Sequence, residues 1–166
     1  MNHEKSIKSE SEYITRRALF IDLLSHVILA SLFSIFFYVV THKISWVFLC
    51  ILGGIFIDID HFIDYFLYYG RNFRLGHFCY CRYLDSGKCY IFFHSWEFIL
   101  LLWIGAFFIV WLVPLAAGMS IHLIVDQLSK SGKFYFLLFR WNNQFDLDKL
   151  EPSYSEMAKK KKQTRE

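Results

Sequence analysis

The chain has 166 residues, a length typical of one domain. It is 55% hydrophobic and 20% aromatic, with 19 phenylalanines, only 2 prolines and a mean hydropathy of +0.33, which excludes both an ordinary soluble domain and a disordered chain. The net charge of +3 is modest and the basic residues form no continuous face, so no nucleic-acid partner is expected. The composition indicates an integral membrane protein.

Four apolar segments are predicted to be transmembrane helices, which need roughly 20 mostly apolar residues each. In chain order these segments are 18–40, 44–58 with a continuation to 69, 90–113, and 114–128. Pro114 is expected at a turn or at the start of the fourth helix. The chain is therefore predicted to be an all-α membrane protein with a polar N-terminal segment (1–17), a helical membrane domain (18–141) and a polar, lysine-rich tail (142–166).

Basic residues indicate how the predicted helices are oriented. They precede the first helix, follow the second and follow the fourth, whereas the other two connections offer only Lys43. The positive-inside rule places such basic segments in the cytoplasm. We therefore expect four up-and-down helices with both termini and the 70–89 loop cytoplasmic. The basic residues concerned are Lys5, Lys8, Arg16, Arg17, Arg71, Arg74, Arg82, Lys88, Lys130, Lys133 and Arg140.

Ionisable residues in all four segments fall at a similar depth, near the cytoplasmic side, at a rise of about 1.5 Å per residue. Within segments, His122 and Asp126 share a helix face at i, i+4, and His94 and Glu97 share one at i, i+3. Charged groups inside a membrane are costly, so such a convergence predicts a functional site. The residues are His26, Asp58, Asp60, His61, His94, Glu97, His122 and Asp126.

The stretch IDIDHFID, residues 57–64, ends the second apolar run. Asp58 and Asp60 point in nearly opposite directions on an ideal helix. Both can approach one site only if the helix breaks or distorts between Ile57 and His61, which we predict. In the alternative of an undistorted helix, Asp60 and Asp64, at i, i+4, would form a second face that meets water.

Imidazoles together with carboxylates suit Zn²⁺, Mn²⁺ or Fe²⁺, and several carboxylates can hold two ions. A bound divalent metal, Zn or Mn first, would activate water and polarise a phosphoryl or carbonyl oxygen. Glu97 is the predicted catalytic base if it is not itself a ligand. The predicted metal ligands are His26, Asp58, Asp60, His61, His94, His122 and Asp126.

Simpler interpretations remain open for each part of this pattern. Membrane histidines often serve only in packing, His26 can pair with Asp22 within one helix, and IDIDHFID can be an amphipathic helix end. A zinc knuckle is an alternative use of the polar loop, although its C-x-C spacing is unusual and reduced cysteines without a metal are favoured. The knuckle residues would be His77, Cys79, Cys81 and Cys89.

These residues resemble those of the membrane-bound metal-dependent hydrolases, which include the LexA-regulated inner-membrane hydrolases of bacteria. That family has a histidine in its first helix, a Pro-Asp-x-Asp-His segment, a His-Ser segment opening a later helix and a final His-x-x-x-Asp. The chain departs from the pattern at Ile57, which replaces the proline, and it has no equivalent of the His-Arg pair that usually precedes His-Ser. The resemblance implies a location in the bacterial inner membrane. The matching residues are His26; Asp58, Asp60 and His61; His94 and Ser95; His122 and Asp126.

Two classes of function are consistent with these observations. The first is a metal-dependent hydrolase at the cytoplasmic membrane face, in contact with membrane lipid and acting on a phosphoester or another small or lipid-linked substrate. The second is a non-catalytic membrane protein, either a metal or proton carrier or an assembly subunit whose polar cluster holds helices together. A carrier needs polar groups through to the other face. The outer halves of the helices (32–40, 45–52 and 103–113) are nearly without ionisable residues, which favours the hydrolase.

Overall fold

A computed structural model describes residues 21, 24–79, 82–129 and 132–151. Within these ranges the chain is helical and contains no β-strand, as predicted. A 3-10 helix, Arg82–Ser86, lies between the fourth and fifth α-helices. The α-helices are α1 (Leu24–Thr41), α2 (Ile44–Phe56), α3 (Ile59–Tyr69), α4 (Leu75–Cys79), α5 (Trp96–Ala106), α6 (Leu112–Ser129), α7 (Leu137–Asn142) and α8 (Leu147–Leu150).

Two helical stretches are long and apolar enough to cross a membrane: α1, and the 44–69 stretch that α2 and α3 form together. Large apolar side chains on the second stretch face outward, with Phe48 67% and Ile55 63% exposed, as suits a helix covered by lipid. α5 and α6 are apolar but shorter. Four spans with cytoplasmic termini stay a prediction, since both chain ends lie outside the described residues.

The helices α2 and α6 pack with their backbones almost in contact. A Cβ atom added at Gly118 of α6 would overlap the carbonyl of Cys50 in α2, and one added at Gly53 would overlap the backbone of Leu115. Small residues allow this close approach between membrane helices. The contact brings the C-terminal turn of α2 beside the part of α6 that carries His122.

The helices α5 and α6 form a hairpin whose ends are set by local chemistry. Ser95 caps α5, because its Oγ accepts the N–H of Phe98 at 3.3 Å. Pro114 lies in the first turn of α6, as predicted, where its missing N–H costs no helical hydrogen bond. The hairpin therefore presents His94 just before α5 and His122 and Asp126 in the second half of α6.

The C-terminal segment 132–151 folds back over the loop that precedes α5. Its core contacts include Leu147 and Leu150, which are 3% and 7% exposed. Ordered packing therefore continues to Leu150, past the limit of 141 expected for the membrane domain. Backbone hydrogen bonds join the segment to the loop: Trp96 N–H to Tyr135 O at 3.1 Å, Cys89 N–H to Phe145 O at 3.0 Å and Leu147 N–H to Gly87 O at 2.9 Å.

Candidate metal centre

Five of the eight ionisable side chains predicted to converge, from four parts of the chain, meet at one place. His26 comes from α1, Asp58 from the junction of α2 and α3, His94 from the loop before α5, and His122 and Asp126 from α6. The measured separations are His26 Nε2–Asp126 Oδ1 3.2 Å, His94 Nε2–Asp58 Oδ1 3.5 Å, His94 Nε2–Asp126 Oδ2 3.6 Å, His122 Nε2–Asp58 Oδ1 3.4 Å and His122 Nε2–Asp126 Oδ2 3.7 Å.

The junction of α2 and α3 is distorted where the sequence predicted it. α2 ends at Phe56 and α3 begins at Ile59, and the N–H of Asp58 bonds the carbonyl of Ile55 at 3.1 Å, a 3-10 pattern. In this turn the N–H of Asp58 does not bond the carbonyl of Gly54, which is therefore available to a side chain. The turn also directs Asp58 toward the other ligand atoms while Asp60 faces the loop before α5.

The orientation of His122 is set by that carbonyl. Nδ1 of His122 lies 2.7 Å from the oxygen of Gly54, and a carbonyl only accepts hydrogen bonds, so Nδ1 carries a proton. In the neutral ring the lone pair is then on Nε2. Nε2 faces Asp58 at 3.4 Å and Asp126 at 3.7 Å. A lone pair directed at carboxylates is repulsive unless a cation or a proton lies between them.

Asp60 supports His94 from the opposite side of the ring. One oxygen, Oδ2, accepts the backbone N–H of His94 at 2.9 Å and lies 3.2 Å from its Nδ1, and both side chains are buried. This arrangement places the proton on Nδ1 and leaves Nε2 for the cluster. Carboxylates that hold a ligand histidine in this way are typical of metal sites. Asp60, predicted as a ligand, thus lies behind His94, and its role as a ligand stays a prediction.

The spacing of the cluster fits the requirements of a tetrahedral ion. Ligand atoms about 2.0–2.2 Å from a zinc-like ion lie about 3.3–3.6 Å from one another. The observed separations of 3.2–3.7 Å between histidine nitrogens and carboxylate oxygens lie within 0.1 Å of that range. Two triplets have ligand atoms mutually within 4.8 Å, and they share His122: His26, His122 and Asp126; and Asp58, His94 and His122. The donor set therefore fits a divalent ion.

The cluster is accessible from one side, at Asp58 and His61. Their side chains are 42% and 34% exposed, whereas His94 is 2% exposed and Asp126 14%. His61 Nε2 lies 3.9 Å from Asp58, and its Nδ1 lies 3.0 Å from the hydroxyl of Tyr83 in the 3-10 helix. Neither triplet of described residues includes His61. Its predicted role as a ligand is untested, and its contacts place it at the opening.

The alternative in which Asp60 and Asp64 face water is wrong. They are 1% and 5% exposed, and Oδ2 of Asp64 accepts the N–H of Tyr90 at 3.0 Å. The loop before α5 covers them because its backbone N–H groups need acceptors and the two carboxylates supply them. Ile91, between these anchors, has φ of 27°, a rare conformation for a β-branched residue, and such strain often accompanies functional sites.

Glu97 is bonded to the start of α7. The N–H of Leu137 donates to its Oε2 at 2.8 Å and the N–H of Leu138 to its Oε1 at 3.0 Å. The carboxylate therefore caps α7 and holds the C-terminal segment to α5. Both oxygens are engaged in these bonds, so the structure gives Glu97 a structural use. Its predicted role as a catalytic base stays a prediction.

The residues of the zinc-knuckle alternative lie in contrasting environments. Cys79 is exposed, whereas Cys89 is buried in the hydrophobic core. Among the residues that the structure describes, the knuckle residues form no metal-ligand group. Cys81, and also Asp22 of the alternative Asp22–His26 pair, lie outside the described residues.

Two residues near the site were not predicted from the sequence as site residues. Tyr83 contacts His61, and Arg140 of α7 is fully buried near Asp60. The sequence did offer an indication of Arg140. A charged residue within the apolar run FYFLLFRW is costly without a compensating partner or a function, as are the carboxylates of IDIDHFID. Nothing in the sequence distinguished Tyr83 from the other tyrosines of its loop.

Comparisons of the chain with protein-family models, with curated proteins and with solved structures gave no significant match. The resemblance to membrane-bound hydrolases therefore rests on the motif residues.

Proposed function

We propose that the protein is an integral-membrane, metal-dependent hydrolase. The observation that supports this most directly is the paired orientation of His94 and His122. Each ring has its Nδ1 bonded to a dedicated acceptor, Asp60 or the Gly54 carbonyl, and each directs Nε2 at carboxylate oxygens. Packing histidines have no need of such an arrangement, whereas a ligand pair with outer hydrogen-bond partners does.

Charge balance favours a single divalent ion. Asp58 and Asp126 together carry two negative charges when ionised, and one divalent cation neutralises them while three neutral histidines surround it. We assign Asp58, His94, His122 and Asp126 as the ligands. His26 Nε2, 3.2 Å from Oδ1 of Asp126, then holds the carboxylate by a hydrogen bond so that Oδ2 faces the ion. A bound Zn²⁺ or Mn²⁺ would supply Lewis-acid activation of water and of a substrate oxygen.

The surroundings of the opening support a substrate with an apolar part. Ile59 and Phe62, next to Asp58 and His61 in the sequence, are 41% and 39% exposed. Asp58 also lies within the 44–69 stretch, which is long and apolar enough to cross a membrane. A phosphoester attached to a lipid would place its polar group at Asp58 and its chains against these side chains, so we propose a lipid-linked phosphoester as the substrate class.

We propose His61 as the residue that transfers the proton during hydrolysis. It is half-buried at the opening, beside Asp58, and Tyr83 holds its ring in place. Glu97, by contrast, has both oxygens bonded to backbone N–H groups. A general acid or base in hydrogen-bond reach of the reacting group contributes about 10²–10⁴-fold to the rate.

Wild-type protein purified in mild detergent should bind one equivalent of Zn²⁺ or Mn²⁺ and hydrolyse members of a panel of phosphoesters and lipid-linked phosphates. His61→Ala should retain the metal and lose turnover by about 10²–10⁴-fold, because it removes the proton-transfer group and no ligand. Glu97→Gln should retain both metal and most of the turnover, since it weakens only the cap of α7.

Three outcomes would contradict parts of this proposal. Metal loss in His61→Ala would make His61 a ligand, and a collapse of turnover in Glu97→Gln with metal retained would return the role of base to Glu97. Well-folded wild-type protein that binds no metal in supplemented buffers would overturn the hydrolase proposal. It would favour a non-catalytic membrane protein whose polar cluster joins the helices.

A further inference from the structure

Arg140 is a buried cation that is not among the proposed metal ligands. It lies on α7, and its side chain is 0% exposed. Within the part of the chain that the structure describes, no protein atom accepts a hydrogen bond from its Nε, Nη1 or Nη2. Burying a charge without compensation costs several kcal/mol, so groups around it must balance it.

The ionisable groups that act on Arg140 are acidic. Burial lowers the pKa of Arg140 from its ordinary value, while Cys89, Asp60, Glu97 and Asp64 act in the opposite direction. A guanidinium stays protonated in proteins, so Arg140 is a cation among carboxylates. An anionic ligand would be repelled by these neighbours. The arginine is therefore unsuited to bind a substrate phosphate.

Asp60 and Asp64 offer the acceptors that the guanidinium lacks. Their Oδ2 atoms accept the backbone N–H groups of His94 and Tyr90. Their Oδ1 atoms are buried and accept no hydrogen bond from the residues that the structure describes. The planar donors of an arginine can serve two carboxylates at once, directly or through one ordered water. Arg140 is thus matched to this pair in both charge and hydrogen-bonding capacity.

We propose that Arg140 is a positioning residue of the metal centre, which holds Asp60 in place and thereby keeps Nε2 of His94 directed at the ligand oxygens. The proposal rests on the metal site of the proposed function. The proposed coupling runs from the buried guanidinium to the buried, unbonded Oδ1 of Asp60, and from Oδ2 of Asp60 to Nδ1 of His94, 3.2 Å away. The C-terminal segment, by this route, contributes to the centre without touching the ion.

The test measures Co²⁺ binding to detergent-purified protein by competition with a chromophoric chelator, together with the Co²⁺ ligand-field spectrum. Arg140→Met should raise the Kd for Co²⁺ by roughly 10–100-fold, the range typical of outer partners of metal ligands, and should alter the spectrum. Arg140→Lys keeps the charge without the planar fork and should fall between Arg140→Met and wild type.

Asp60→Asn interrupts the same proposed coupling at Asp60. It should raise the Kd and alter the spectrum as Arg140→Met does, and it carries the test if Arg140→Met does not fold. The double variant Arg140→Met/Asp60→Asn should bind no more weakly than the weaker single variant, because both act through His94. Leu150→Ala, in the same C-terminal segment and 7% exposed, should lower the thermal midpoint and leave Kd and spectrum unchanged.

The outcomes separate this role from the proposed function. Wild-type protein that binds Co²⁺, beside an Arg140→Met or Asp60→Asn variant with wild-type Kd and spectrum, would overturn the role of Arg140 alone. Fully multiplicative effects in the double variant would also overturn it. Wild-type protein that binds no Co²⁺ would overturn the metal centre and this role together.

Discussion

Asp126→Ala should leave the purified protein without stoichiometric metal. The carboxylate of Asp126 is shared by the histidines of the cluster, with Oδ1 3.2 Å from His26 and Oδ2 3.6 Å from His94 and 3.7 Å from His122. Removing it deletes a proposed ligand and a carboxylate that contacts all three of these histidines. We expect the affinity for Zn²⁺ to fall by more than about 100-fold, beyond the range of outer-partner substitutions.

The measurement is elemental analysis of the protein after incubation with Zn²⁺ and removal of the excess, with helicity checked by circular dichroism. Asp148→Asn is the matched control, because Asp148 is an exposed carboxylate on α8. It should bind metal as wild type does. An Asp126→Ala variant with wild-type metal content would show that the ion, if bound, is held elsewhere in the chain.

Gly118→Ala should separate α2 from α6 and destabilise the protein. An added Cβ overlaps the backbone carbonyl of Cys50, which has no freedom to rotate away. Alanine in a helix gains about 1 kcal/mol over glycine, but overpacking costs about 1–3 kcal/mol and more where the neighbour is backbone. The clash therefore outweighs the propensity. Metal binding should weaken as well, because the Gly54 carbonyl would move from Nδ1 of His122.

Gly76→Ala is the control for this substitution. Gly76 lies in α4, and an added Cβ there meets no atom within 4 Å, so this variant should be neutral or more stable by up to about 1 kcal/mol. Thermal unfolding in detergent and metal content would be measured for both variants. A Gly118→Ala midpoint equal to that of Gly76→Ala would contradict the close backbone contact between α2 and α6.

Spacing rules predicted much of the site because His26, His122 and Asp126 lie on regular helices, while Asp58 and His94 lie within two residues of a helix end. The depth of His26, His94 and Asp126 along their segments was enough to bring them together, and the two-residue spacing of Asp58 and Asp60 was enough to predict a distorted helix. Position on a helix face says nothing about which neighbour a side chain will meet.

The partners that the sequence did not predict come from segments without regular periodicity. Glu97 caps a short helix that begins forty residues later in the chain, and Arg140 reaches the interior only because 132–151 folds back. Asp60 and Asp64 looked solvent-facing because the loop that covers them has no pattern of its own. Contacts between irregular segments depend on tertiary packing, which a single sequence does not display.

The contact between His26 on α1 and Asp126 on α6, at 3.2 Å, also constrains how the protein is made. Because α1 is synthesised well before α6, the cluster cannot form until α6 has left the ribosome. If the proposed ion binds there, metal uptake is a late step of biogenesis, and the energy of binding helps to hold together helices that were synthesised at different times. A chain deprived of metal during synthesis should consequently be a better substrate for membrane proteases than a chain that received it.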